Sequence, residues 1–288
     1  MNLSDQESFY SLSGPSLDDQ SFKRISKFAY DVAGLSIAPS KAAMVRTRLA
    51  RRLRHLGLDS FGAYCDFIQS DNGGQERIEL ISALTTNVSH FFRENHHFEL
   101  LTSQVLPGLE NQRNRPIRFW SAGCSNGQEP YSLAVSLYES GFLSTNTDLK
   151  ILASDIDPRV IDFARKGEYP ERMIEGLNTE QRERYFSEVP SNNSESHWNA
   201  QENLRKLISF RRLNLLDTWP MQGQFDVIFC RNVVIYFDQK TQDTLWGKFS
   251  KILRPGGWLF LGHSERISDK FHDQFETLGG TAYRLCKS

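Results

Sequence analysis

Residues 117–130 read Ile117-Arg118-Phe119-Trp120-Ser121-Ala122-Gly123-Cys124-Ser125-Asn126-Gly127-Gln128-Glu129-Pro130. A short apolar run, a turn carrying two glycines and a proline opening a helical stretch make strand, turn and helix in that order. Gly123 and Gly127 have no Cβ and let the backbone approach a ligand closely. Downstream, Leu149 to Ala153, Leu207 to Phe210, Phe225 to Cys230 and Gly257 to Leu261 are further short apolar, β-branched or aromatic runs. Helical stretches separate several of them, at Pro130 to Leu143, Pro158 to Arg165 and Lys240 to Leu253. That alternation predicts a doubly wound α/β domain, its mostly parallel sheet covered on both faces. The polar stretch Ser187 to Asn203, with Pro190 and Trp198, breaks the rhythm as a surface loop or a small inserted subdomain.

Upstream of Pro116 the pattern is helical. Phe22, Ile25, Phe28 and Ala29 recur at helical spacing before Gly34. Pro39-Ser40 opens a second helix with Val45, Leu49, Leu53 and Leu56 as its buried stripe, ending near Gly57. Phe61 to Ile68 and Ile78 to Leu84 follow, separated by Asp71-Asn72-Gly73-Gly74. The expected domains are a small all-helical one at 16–86, a linker with a connecting helix at 87–115, and an α/β domain at 116–288 with an insertion at about 187–206.

Composition excludes several classes. The formal net charge is −1, so electrostatic recognition of a partner must come from a local patch. No apolar run reaches membrane-spanning length, and the polar Met1 to Gly14 does not read as a signal peptide. The four cysteines, Cys65, Cys124, Cys230 and Cys286, form no paired motif and read as free thiols of a reducing, cytoplasmic setting. No metal site is expected: His96-His97 is a tempting pair, but adjacent helical residues diverge and no Cys or carboxylate cluster completes a set.

The second strand ends in Ser154-Asp155-Ile156-Asp157. Asp157, before Pro158, suits a helix N-cap, which leaves Asp155 to accept the hydroxyl protons of a ribose. Asp155 lies 28 residues beyond Gly127, and the Gly-x-Gly-x-x-Gly fingerprint is missing, which weighs against a dinucleotide enzyme. Leu253-Arg254-Pro255-Gly256-Gly257 before a strand resembles the corresponding turn of class I S-adenosylmethionine-dependent methyltransferases.

A closer resemblance covers nearly the whole chain. Leu84 to Glu94 (LTTNVSHFFRE), Trp120 to Ala122 with Asn126 to Ser132, Ala153 to Asp157, Phe229 to Phe237 (FCRNVVIYF) and Gly262-His263-Ser264-Glu265 resemble the chemotaxis receptor methyltransferases of the CheR type. The resemblance implies methyl transfer from S-adenosylmethionine to glutamate side chains on cytoplasmic helices of chemoreceptors, with S-adenosylhomocysteine as product, by a monomer that does not insert into the membrane. It implies a cofactor site of Asn87, Ser89, Arg93, Glu129, Asp155, Asn214, Leu215, Arg231 and Asn232. Asn214-Leu215 suits adenine. Glu129 is either a carboxylate favoured by its helix dipole or the partner of the cofactor's α-ammonium. Arg93 and Tyr236 are the catalytic candidates; Tyr236 also sits in an aromatic run where core packing is the default.

A glutamate acceptor is already ionised at neutral pH, so no general base is required. Lys41 to Leu58 holds six Lys and Arg and no acid, and the resemblance makes its Arg48, Arg51, Arg52 and Arg54 a docking surface for acidic receptor helices. Some members of the family grip a receptor tether with a glycine-bearing loop, and Pro190 to Ser196 has no glycine. A nucleic-acid methyltransferase would want Asn-Pro-Pro-Tyr after the fourth strand instead of Arg231-Asn232-Val233-Val234, and a broadly basic surface. A scaffold without catalysis would not need Arg93 and Tyr236.

Overall fold

The computed structural model describes residues 14–85, 87–112, 114–143, 147–189 and 196–286. The chain forms two compact units that divide between Thr86 and Asn87.

The first unit is helical: α1 (Asp19–Ala33), α2 (Ala42–Leu56), α3 (Phe61–Gln69) and α4 (Gly74–Leu84). Asp18 caps α1 by accepting from the Ser21 N–H at 2.8 Å, and Gly34 ends it in the left-handed conformation. Val45, Leu49 and Leu53 of α2 are fully buried; Leu56, expected to join them, is half-buried.

The acid-free α2 finds its anions inside this unit. Arg52 donates from Nε to Glu76 Oε1 at 3.0 Å and from Nη2 to Oε2 at 2.5 Å, and lies 3.3 Å from Glu79. Tyr64 donates to the same Glu76, which is buried. Arg48 donates to the carbonyls of Leu84 and Thr85 at 2.8 and 3.1 Å, where the end of α4 leaves acceptors open. Two of the four arginines expected to dock substrate are therefore engaged in holding the unit together, and Arg51 and Arg54 are the exposed pair.

The second unit begins with the 87–95 segment and α5 (His96–Leu100). The helix continues through a wide π turn, Leu101–Val105, into α6 (Leu106–Leu109). The pitch changes just before Pro107, which has no N–H to donate. Then follow β1 (Ile117–Ala122), α7 (Gln128–Glu139), β2 (Leu149–Asp155), α8 (Pro158–Lys166), β3 (Glu168–Pro170), α9 (Glu171–Ile174), α10 (Thr179–Tyr185), β4 (Phe186–Val189), β5 (His197–Ala200), α11 (Glu202–Leu207), β6 (Ile208–Arg212), β7 (Phe225–Cys230), α12 (Gln239–Ile252), β8 (Leu253–Leu261), β9 (Phe275–Thr277) and β10 (Ala282–Leu285).

The main sheet runs β6-β2-β1-β7-β8-β10-β9, parallel through β8 and antiparallel beyond it. Side chains alternate between two cores. Ile117, Phe119, Val227 and Phe229 face one with Phe98, Leu101 and Leu133; Trp120, Ile228 and Cys230 face the other with Leu245, Trp246 and Phe249. All six residues of β7 are buried, as a central parallel strand requires.

Three features differ from the sequence reading. The Ser187 to Asn203 break is part of an antiparallel β3-β5-β4 sheet that begins at Glu168, earlier than the expected insertion. Pro190 to Glu195 lie outside the described residues. Arg254 to Gly257 is not a turn ahead of the strand: Leu253 already pairs with Phe225, and the next pair is Val227 with Trp258, so these four residues bulge out of β8. Residues 87–115, read as a linker and connecting helix, fold with the larger unit.

Arg52→Ala leaves the Glu76 carboxylate buried without its cation. It should cost about 3 kcal/mol, the low end for breaking a buried pair because Arg52 itself is partly solvated. Hydrogen exchange of the α2 and α4 amides reads the loss directly; unchanged protection would show that the pair contributes nothing.

Candidate active site

The site is built at the carboxyl ends of β1, β2 and β7. After β1 the chain turns through Gly123 (φ +89°), Ser125 (φ +48°) and Gly127 (φ +90°). The glycines answer to the protein's own atoms as well as to backbone conformation. A Cβ on Gly123 would lie 2.3 Å from Val233 Cγ2, and one on Gly127 would lie 2.7 Å from Ala164 Cβ. The turn is anchored by Asp155, whose Oδ2 accepts from the Ser125 N–H at 2.9 Å and whose Oδ1 accepts from the Asp157 N–H at 3.0 Å. Burial pushes the Asp155 carboxyl above its ordinary range, against the backbone bonds that lower it. Asp157 is the N-cap of α8, as its position before Pro158 predicts, accepting from the Arg159 N–H at 2.9 Å.

The 87–95 segment closes around that turn. Asn87 donates to Asp157 Oδ2 at 3.1 Å, and its carbonyl accepts from Ser125 Oγ at 3.0 Å. Ser89 is half-buried beside the exposed Val88. Arg93 lies between Phe92 and Glu94, both at φ +53°, a left-handed pair that costs free energy in residues with side chains. The Phe92 N–H is held by Ser132 Oγ at 3.0 Å. Arg93 is half-buried and donates from Nη1 to the Val88 carbonyl at 3.1 Å.

Arg231, at the end of β7, has a side chain only 2% exposed. Its Nη1 donates to Glu129 at 3.2 Å, its Nη2 lies 3.4 Å from Glu94 and also bonds the Arg93 carbonyl. Ser121 Oγ donates to the other oxygen of Glu129 at 2.7 Å. Burial raises the Glu129 carboxyl, opposed chiefly by Arg231. Glu94 behaves differently. Burial alone would raise it, but Arg231 and two hydrogen bonds from His263 outweigh burial and hold it at about 2.

Asn232 follows at φ +58°, its N–H donating to the buried Glu265, which also accepts from the N–H groups of Gly262 and Ile235. Glu265 thus fixes the loop that carries Tyr236, which is half-buried and outside both cores. Asn214 closes a turn on itself, accepting from Leu216 N–H and donating to Asp217. Leu215 is buried in the second core, and the Leu213 N–H before them binds the Asp155 carbonyl at 2.9 Å. Hydrogen bonds therefore join these residues in two groups, Asn87 with Asp155 through Ser125 and Asp157, and Arg93 with Glu129 through Arg231, next to which Asn232 follows in the chain; the Leu213 N–H ties the segment of Asn214 and Leu215 to Asp155.

Sequence reading assigned no role to Glu94, His263 or Glu265, although all three lie in stretches quoted above. Glu94 also brings a carboxylate to His96 and His97, the ligand atoms of the three lying within 4.8 Å of one another, so the reasoning that no carboxylate completes a set is corrected. These groups have other partners: Arg231 beside Glu94, and the Gly280 carbonyl on both imidazoles at 3.2 and 2.6 Å.

Strand order, the glycine turn and an acid ending β2 define a methyltransferase with an S-adenosylmethionine-binding domain. The family model described as "CheR methyltransferase, SAM binding domain" matches residues 87–284, and "CheR methyltransferase, all-alpha domain" matches residues 20–85. The chain belongs to the CheR family. It is similar to chemotaxis protein methyltransferase 2 of Pseudomonas aeruginosa (42% identity, covering 92% of each chain). It is also similar to the chemotaxis protein methyltransferases of Escherichia coli (41%) and Salmonella typhimurium (39%), each match covering 94% of this chain and 92% of the relative. No described helix is long and apolar enough to cross a membrane.

Burial, followed by the Arg231 charge, lowers the His97 imidazole from 6.5 to about 4. The unfolded chain then binds more protons than the folded one between those values, so stability is full above 6.5 and falls as pH drops towards 4. Glu94 extends the loss from 4.5 down to about 2. All five tryptophans lie in the second unit, so urea unfolding followed by tryptophan fluorescence isolates it. His97→Phe should flatten the upper part of this pH dependence; an unchanged slope would mean that His97 is not its source.

Proposed function

We propose that this chain transfers the methyl group of S-adenosylmethionine to glutamate side chains of chemoreceptors. The observation that carries this reading is the buried Arg231–Glu129 pair, 3.2 Å apart at the carboxyl end of β7. A guanidinium beside a carboxylate is complementary to an amino-acid zwitterion, with Arg231 for the α-carboxylate and Glu129 for the α-ammonium. Asp155 accepts from the ribose hydroxyls. Asn214 spends its side-chain amide on its own turn, so the adenine edge falls to the backbone of Asn214 and Leu215. Asn87, Ser89 and Asn232 complete the wall. When bound, the cofactor supplies an electrophilic methyl carbon on a sulfonium.

A glutamate oxygen forms the new O–C bond as the C–S bond breaks, and no proton moves. The residues supply alignment and exclude water. Arg93 orients the incoming carboxylate. One bond to the Val88 carbonyl leaves its other donors for substrate, and a looser hold avoids stabilising the ground state. Tyr236 lies outside the packed cores, which supports a role at the reacting centre over the core-packing alternative. No metal takes part in this scheme, and the demethylated product is S-adenosylhomocysteine.

Incubation with radiolabelled cofactor and chemoreceptor membranes tests the reaction: carboxyl methyl esters lose the label in base, whereas N-methyl groups keep it. Base-stable label would refute glutamate as acceptor. Asp155→Ala should weaken cofactor binding by about 1.5–3 kcal/mol, the range for hydrogen bonds to a charged group. Calorimetry reads this, and equal affinity in a folded variant would remove Asp155 from the site.

Docking is assigned to Arg51 and Arg54, with Arg48 and Arg52 withdrawn on the bonds described above. Exposed ion pairs contribute about 0.2–1 kcal/mol each, so this face speeds and orients encounter without holding substrate tightly. Reversing Arg51 and Arg54 to Glu should raise KM for receptor several-fold, steeply dependent on salt, at unchanged cofactor affinity. A KM insensitive to both changes would place recruitment elsewhere.

A further inference from the structure

Beside Glu94 the second unit carries a cleft of about 550 Å³ that the cofactor scheme does not use. His96, His263, Arg266 and His272 line it, with Gly280 and Tyr283 as part of the wall. One acid, Asp269, also lines it and lies 3.5 Å from His272, so the cleft holds three imidazoles and a guanidinium against one carboxylate. Arg266 is fixed in place. Its Nη1 donates to the carbonyls of His263 and Glu265 at 2.8 and 2.7 Å, while Nε and Nη2 bond no described residue. His263 is 70% exposed and turns its Nδ1 to Glu94 at 3.1 Å, directly after Arg93 in the chain. His263 thus links the cleft to Glu94, the neighbour of Arg93 in the chain, and the open donors of Arg266 suit an anion.

We infer that this cleft receives a second carboxylate of the substrate, on the same helix face as the acceptor glutamate, with Arg266 as its principal donor. The inference rests on the proposed acceptor chemistry. An acceptor segment carrying several glutamates presents further carboxylates at helical spacing, and residues three, four or seven apart share a face. Methylation removes the charge of a glutamate, so a neighbour already converted to its ester no longer pairs with the Arg266 guanidinium. Arg266 is then a specificity-determining residue: it favours acceptors whose neighbour is still ionised.

The test uses the full chain with a chemoreceptor cytoplasmic fragment carrying an acceptor glutamate and one neighbour, four or seven residues away, as Glu or as Gln. With the wild-type chain the Gln neighbour should raise KM about three- to fivefold, the scale of a single partly solvated ion pair, with kcat unchanged. Arg266→Ala should raise KM for the Glu fragment by a similar factor and abolish the discrimination, whereas Arg266→Lys should keep part of it. Calorimetric affinity for S-adenosylhomocysteine verifies the fold of each variant. Discrimination persisting in Arg266→Ala, or absent from the wild type at both spacings, overturns the inference. Failure of the wild type to give base-labile label on the Glu fragment would instead sink the reading on which it rests.

Discussion

A guanidinium 2% exposed must find its anions inside the protein, and Arg231 finds Glu129 on α7 and Glu94 on the turn before α5. Losing either partner would strand charge in a low-dielectric interior, where separated ions are costly. Three segments distant in sequence, at 94, 129 and 231, are thereby held at one strand end. The trio carries one excess negative charge when both acids are ionised. Under the proposed reading this suits a cofactor whose sulfonium leaves it net positive, and suits the demethylated, net neutral product less. The charge that organises the loops would also favour exchange of product for fresh cofactor.

Around that trio the backbone is held where it would not rest by itself. Phe92, Glu94 and Asn232 all adopt positive φ without being glycine. The strain persists because the surroundings over-determine it: Ser132 holds the Phe92 amide, and Glu265 takes three N–H groups around Asn232. Glu265 binds as an acceptor even though burial raises its carboxyl. It is a positioning residue, acting on the loop of Tyr236 without any assigned contact with the reacting atoms.

Much of this architecture is legible in the chain, for identifiable reasons. The central parallel strands are buried on both faces and read as apolar runs, while β6, at the edge, buries only Ile208 and Phe210; the helical unit announces itself by stripe and caps. The β3-β5-β4 sheet is silent because its strands have three or four residues and polar outer faces, and β9 and β10 are as short. Arg48 and Arg52 mislead for another reason. A run of arginines in sequence resembles a solvated face, but Glu76 and the carbonyls ending α4 lie on a helix some thirty residues downstream, and only tertiary structure brings them near. Glu94 and Glu265 went unassigned because an acid's role depends on which amides and cations surround it, which one-dimensional spacing does not encode.

Methyl transfer to an ionised carboxylate asks little of acid–base chemistry, which accounts for a site whose titrating groups are committed to structure. Glu94 is held ionised and His97 neutral at physiological pH. Neither is poised to exchange protons there. What remains for the protein is to choose the carboxylate and bring it to the methyl group. A tight salt bridge to Arg93 would choose well and react slowly, because it would stabilise the attacking anion before transfer. Under the proposed reading, distributing recognition over weak contacts (Arg51 and Arg54 in the helical unit, a loosely held Arg93 in the other) resolves that conflict. On that reading selectivity accumulates away from the nucleophile, and the neutral ester, having lost its charge, would be released from the same cations that drew the glutamate in.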